Sequence, residues 1–244
     1  MWDRKLVKAK GKAAFKANYW HCVLVAFILS LLSVTFTGGT STSSTTQTTG
    51  GDGVSTAIAI TFGFVALAAT AIGILVFNPL SVGCQRFFLK NSRGEGDNLG
   101  DIGFAFRENY GNVTGTMFFY GLYVFLWALL LIIPGIIKSY EYRMIPYLLA
   151  ENPNITREEA FAESKRIMNG NKWSAFVYDL SFIGWILLSI FTAGILLLFY
   201  VNPYKYSSDA ELYLTLTGRG SEEMPAAEVV DNSYVSFEGE EESK

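Results

Sequence analysis

Four charged residues stand where charge is costly. Lys138, Glu141 and Arg143 lie in the otherwise mostly apolar stretch 136–150 (IIKSYEYRMIPYLLA), and Asp179 lies in the apolar block 173–204. At the centre of a bilayer such side chains cost about 2.5–3.5 kcal/mol each on insertion scales unless they are paired or face a wet interior. Two kinds of chemistry suit them. They can bind or pass a polar solute, or they can pair with one another and join helices. Lys138 and Glu141 have i,i+3 spacing and Lys138 and Tyr142 i,i+4 spacing, so local pairing is open to them. Asp179 is a candidate partner for Arg143 or Lys138. Tyr140-Glu141-Tyr142-Arg143 is the strongest functional candidate, although stapling a helical bundle would explain the same cluster.

Other chemistry is not supported. The chain has no Gly-x-Ser-x-Gly elbow, no phosphate-binding Gly-rich loop and no His-Glu-x-x-His. It has one histidine, His21, which reads as an interfacial side chain rather than a proton relay. Cys22 and Cys84 sit in or beside apolar runs and read as small buried hydrophobes rather than a disulfide. No catalytic residue, metal site or cofactor is expected, so the chain does not read as an enzyme. Arg143 and Arg86 could meet lipid phosphate at the inner leaflet or serve as anchors and structural partners.

These residues need a framework that holds them in lipid. Stretches 17–51, 53–85, 109–137 and 180–204 contain no Asp, Glu, Lys or Arg. Each has an apolar core of roughly 18 residues or more, about what a helix needs to cross a bilayer. A helix that is apolar all round satisfies its own backbone in lipid. The chain therefore reads as an all-α integral membrane protein. Residues 1–18 carry Arg4, Lys5, Lys8, Lys10, Lys12 and Lys16 against Asp3. They form either a basic helix on an anionic inner leaflet, with Trp2, Leu6, Ala9 and Ala13 on one face, or a solvated tail that sets orientation. No small-x-small cleavage site follows the first apolar run, so it reads as a retained helix rather than a signal peptide.

The polytopic domain spans 19–217, with a Ser/Thr/Gly loop at 37–53 and a polar helix at 156–169 that opens on a capping box, Thr156 to Glu159. Residues 218–244 form an acidic tail with the composition of disorder. Break positions are Asn78-Pro79, Pro134-Gly135 and Asn202-Pro203, with a further turn at Thr192-Ala193-Gly194. Residues 73–79 resemble 194–203, and Pro134-Gly135 would mark a middle copy, giving three hairpins. Counting 113–137 as one crossing gives five in total, and places Arg157, Lys165, Arg166 and Lys172 outside. Six crossings leave the outer connections free of Lys and Arg and put both termini in the cytoplasm, as the positive-inside rule favours. The expected fold is a bundle of six transmembrane helices in three hairpins, with five as the alternative.

Several segments together carry a resemblance: NYWHCVLVAFILSLL, NPLSVGCQRFFL, NYGNV, LLIIPGIIKSYEYRMIPYLLAENP, NGNKWSAFVYDLSFIGWILLSI and FYVNPY with AELYLTL. Over about residues 1–217 the chain resembles a bacterial family of predicted integral membrane proteins, domain of unknown function 975. It is more distantly similar to the membrane domain of some glycerophosphodiester phosphodiesterases. The resemblance implies a bacterial plasma-membrane location and no agreed activity.

The leading expectation is a non-enzymatic membrane protein that binds or moves a small or lipid-like solute, or assists an export or envelope-stress system. The alternative is a scaffold, immunity or regulatory protein that docks others through its cytoplasmic helix and acidic tail. A lipid-modifying enzyme ranks last. Expected partners are the lipid bilayer with its anionic inner-leaflet lipids, and a protein partner or a second copy of the chain; nucleic acid is not expected.

Overall fold

The computed structural model describes residues 2–38, 53–96, 98–192 and 194–219, and every regular element among them is helical. The Ser/Thr/Gly loop and almost all of the acidic tail lie outside the described residues.

The first helix, α1 (Arg4–Ala17), starts where Asp3 accepts from the Lys5 amide at 2.8 Å. It buries Val7, Gly11, Ala14 and Phe15. That face is rotated from the expected Trp2, Leu6, Ala9 and Ala13. The reason is Gly11: a Cβ there would lie 2.5 Å from the Ser208 Cα, so the bare backbone is what lets α1 approach its partner closely. Counting apolar side chains does not reveal a contact made by glycine. α1 is not a solvated tail, since it packs against α11.

At Asn18 the chain turns by 105° into α2 (Tyr19–Gly38). Asn91 holds the corner, accepting from Asn18 Nδ2 at 2.7 Å and donating to the Ala14 carbonyl at 2.9 Å.

α3 (Gly53–Ser92) has 40 residues and continues past Pro79, so the helix does not end at Asn78-Pro79. Proline has no N–H for the carbonyl four residues earlier. That carbonyl belongs to Leu75, and the Tyr110 hydroxyl donates to it at 2.9 Å.

A 3-10 turn (Leu99–Gly103) and the short α4 (Phe104–Arg107) lead to α5 (Tyr110–Leu130). Leu131 is extended, and α6 (Ile132–Glu141) folds back along α5. Gly135 makes the close contact, since a Cβ there would lie 2.6 Å from the Ala128 Cα. The break is at Leu131 rather than Pro134-Gly135; Pro134 sits in the first turn of α6, where its missing N–H costs nothing. Residues 113–137 are thus a hairpin, not one continuous helix. Nor is 136–150 one helix, because the chain turns again at 142–144 before α7 (Ile145–Glu151).

α8 (Arg157–Met168) begins on the expected capping box: Thr156 Oγ1 accepts from the Glu159 amide and Glu159 accepts from the Thr156 amide. Then come α9 (Lys172–Leu180) and α10 (Ile183–Phe191). Gly194 turns the chain with a positive φ of 83°. A π-helical turn (Leu197–Val201) runs directly into α11 (Asn202–Thr217). Pro203 withdraws the partner of the Phe199 carbonyl, and the Tyr19 hydroxyl donates there at 3.2 Å. Asn202 also donates to Ser30 of α2 at 2.7 Å. Both Asn-Pro sites therefore sit in continuing helix, each braced by a tyrosine from the start of a neighbouring helix.

α11 is the hub, with nearly every residue from Pro203 to Leu214 buried and with α1, α2 and α3 packed against it. The segments following Pro79, Pro146 and Pro203 meet in the core. Tyr147 stacks on Tyr213 with centroids 5.4 Å apart, and Phe88 packs on Tyr206.

Large apolar side chains remain on the outside of α5, α6, α9 and α10: Leu129, Ile132 and Phe191 are each more than 70% exposed. Among the described residues two helices are long and apolar enough to cross a membrane, Tyr110–Leu130 and α9 with α10 together (Lys172–Phe191); the bent α1–α2 pair would be a third.

Candidate functional site

The expected cluster of Lys138, Glu141, Arg143 and Asp179 forms, but as two networks, both built from α6 and α9. Arg143 lies in the turn between α6 and α7 and is the centre of the first. Its guanidinium donates from Nη1 to Asp179 Oδ2 at 2.7 Å, and from Nη2 to Asp179 Oδ1 at 3.2 Å and Asp209 Oδ1 at 2.8 Å. Lys205 donates to Asp179 Oδ1 at 3.1 Å and to Asp209 Oδ2 at 2.9 Å. Two hydroxyls complete the set: Tyr140 donates to Asp179 Oδ2 at 2.8 Å and Tyr178 to Asp209 Oδ1 at 3.0 Å. Two cations face two carboxylates, so the group is formally neutral, and every carboxylate oxygen accepts at least one hydrogen bond. The fork of Arg suits a carboxylate better than the point charge of Lys does. The network ties the α6–α7 turn to α9 and α11.

Asp209 and Lys205 were not among the sequence candidates. Their i,i+4 spacing in a polar stretch was the available signal, and it is a common one on exposed helices. Only the burial of α11 makes it matter.

The second network surrounds Glu141. Lys138 donates to Oε1 at 2.9 Å and Lys172 to Oε2 at 2.6 Å, while the Lys165 ammonium stands 3.9 Å from Oε1. The expected Lys138–Glu141 pair is present, and Lys138 lies over the Tyr142 ring at 5.6 Å. Of the two partners considered for Asp179, Arg143 is the one it meets.

A third network was not foreseen. Glu151, at the end of α7, binds Arg93, Arg219 and the Tyr213 hydroxyl, the last at 2.5 Å. It links the ends of α3, α7 and α11. Beside it a cleft of about 520 Å³ opens between α7 and α8, with Leu148, Ile155 and Ala162 as apolar lining and Glu159, Glu163 and Arg166 among its charged residues.

Arg86 points inward. Its Nη1 donates to the Ala150 carbonyl at 3.1 Å, and its guanidinium lies over the Phe104 ring at 4.2 Å. With Arg143 held by two aspartates, both arginines act as structural partners here. His21 lies on the exposed face of α2, and Cys22 and Cys84 are buried and not disulfide-bonded. Among the described residues no three His, Cys, Asp or Glu side chains gather as a metal site.

Glu211 of α11 is a buried carboxyl. Burial pushes its pKa up to about 7, with Lys10 of α1 opposing the rise. Glu159 moves the other way, because its hydrogen bonds to Thr156 favour the ionised form.

The helical fold, the apolar exterior and the buried ion networks define an all-helical protein with helices fit to enter a membrane. A family model described as "Protein of unknown function (DUF975)" matches residues 102–220. That segment is similar to the family, and every residue of the Arg143 and Glu141 networks lies within it. The match begins later than the resemblance over 1–217 implied. No curated protein and no solved structure matches the chain.

Proposed function

We propose that the chain is a multi-pass protein of the bacterial plasma membrane that acts without catalysis, as an embedded scaffold or regulatory partner, rather than as a path for a solute. Its apolar legs form three hairpins, each leaving and returning to the same side, with both termini and α8 cytoplasmic. The α5–α6 hairpin is the short one: from Glu141 back to Ile132 a helix rises only about 14 Å. Sidedness does not depend on its depth, because a hairpin returns to the side it left.

The observation that supports the scaffold reading is the closed, neutral Arg143–Asp179–Asp209–Lys205 network. A solute site offers donors or acceptors with capacity to spare, whereas these groups spend theirs on one another. What remains available is the outer face of α8, where Glu158, Glu159, Ala162, Lys165 and Arg166 are exposed.

The test is Arg143→Met. Removing one partner of a buried pair costs about 3–5 kcal/mol, so the variant should be depleted from membranes and melt lower. Arg143→Met with Asp209→Asn should recover part of the loss. An Arg143→Met protein with wild-type abundance and melting point would refute the brace and return the argument to a solute path. Sidedness is read separately. With Cys22 and Cys84 replaced by Ala, a Glu159→Cys protein should be protected from an impermeant thiol reagent in intact cells, while Ser44→Cys is labelled. Labelling at position 159 would overturn this sidedness.

A further inference from the structure

The Glu141 corner differs from its neighbour in one respect: its charges do not balance. Lys138, Lys165 and Lys172 arrive from α6, α8 and α9, and one carboxylate serves all three. Two positive charges are left over. Glu141 is almost fully enclosed, its side chain 10% exposed, while the Lys165 side chain is 49% exposed. The Lys165 ammonium is too far from Glu141 for a hydrogen bond, so its donors are not used there. Tyr142 lies close to two of the ammonium groups, with its centroid 5.6 Å from Lys138 Nζ and 5.7 Å from Lys165 Nζ. A ring face attracts cations, and here it holds two of the same sign near each other.

The corner also borders the apolar exterior. Lys138 lies 5.4 Å from the centroid of Trp127, which is itself partly exposed. Trp173, the residue after Lys172, is 74% exposed and packs on Phe176. Indole rings favour the headgroup level of a bilayer, with one side apolar and the other wet. A cationic corner where three helices meet, bordered by such rings, is suited to an anion that arrives attached to hydrocarbon.

We propose that Lys138, Lys165 and Lys172 bind the phosphate of an anionic phospholipid headgroup, with the acyl chains lying on the exposed apolar surface of α5, α6 and α9. The phosphate oxygens accept from the ammonium groups, and its charge offsets part of the surplus that Glu141 leaves. A free phosphate would satisfy the same donors but would make no use of the apolar border. This assignment does not depend on the scaffold reading, since a braced bundle and a solute path could each hold a lipid at this corner.

The experiment uses the full chain, purified in detergent, with native mass spectrometry counting retained lipid. Phosphatidylglycerol should be retained at least about fivefold more strongly than phosphatidylcholine, the weight of roughly one lysine near a charged surface. Lys165→Gln should remove about that factor for phosphatidylglycerol alone. Glu141 keeps Lys138 and Lys172 in this variant, so its melting temperature should match the wild type; Lys165→Arg, which retains the charge, should bind like the wild type. Inorganic phosphate at millimolar concentration should not displace the lipid. Equal retention of the two lipids, or an unchanged preference in Lys165→Gln, would overturn the proposal. Displacement by inorganic phosphate would overturn the lipid assignment in favour of a soluble phosphate site.

Discussion

Glu211 offers a test in which the sign and the size both follow from its surroundings. The side chain is buried in α11, and burial raises its pKa from the ordinary 4.5 to about 7 despite Lys10 nearby. A carboxyl whose folded pKa is raised binds its proton more tightly in the folded state than in the unfolded one. It therefore favours folding below the unfolded pKa, and the advantage is lost as pH climbs from about 4.5 through 7. Above 7 the folded protein holds a buried carboxylate at a cost. At about 1.4 kcal/mol for each pH unit, the gap corresponds to about 3 kcal/mol.

Glu211→Gln keeps the shape and removes the titration. The assay is thermal unfolding in detergent at fixed salt between pH 5 and pH 8.5. At pH 8 the variant should melt above the wild type, by on the order of 6–12 °C for a chain of this size. The gap should narrow steadily toward pH 5. A gap that is the same at every pH, or a variant that melts lower at pH 8, would refute the reasoning.

Three further substitutions probe the fold. Gly83→Ala should cost about 1–3 kcal/mol of stability by thermal melting, because a Cβ there would overlap the Ile102 carbonyl in the turn packed on α3. Tyr110→Phe should cost about 1 kcal/mol by the same measure, since it orphans the Leu75 carbonyl that Pro79 already leaves unpaired. Thr156→Ala should lower the melting point by the equivalent of about 1 kcal/mol and increase amide exchange at the start of α8, because the capping box loses its hydroxyl.

The local features were the most legible. The capping box of α8 depends on two residues three apart, and the structure shows it as read. The Lys138–Glu141 pair is similarly short-range. Failures came where a distant segment intervenes. The Asn-Pro sites read as breaks, because proline withdraws an N–H; Tyr110 and Tyr19 take up the freed carbonyls from 35 and 180 residues away. Leu131 carries no breaker signal, yet it is the extended residue between α5 and α6. The hairpin forms because Gly135 lets α6 lie against Ala128.

The sequence by itself determined the helical class, the apolar character of the long stretches, and the identity of four charged residues that need partners. Those properties belong to composition and to spacing within a few residues, where the backbone supplies the geometry. Only the tertiary structure decided which partners they take. Arg143 and Asp179 are joined by Asp209 and Lys205 because α11 passes through the middle of the molecule, and Lys172 and Lys165 reach Glu141 because α8 and α9 close over the end of α6. A charge settles on whichever opposite charge the packing brings within about 3 Å, and sequence distance carries little of that information.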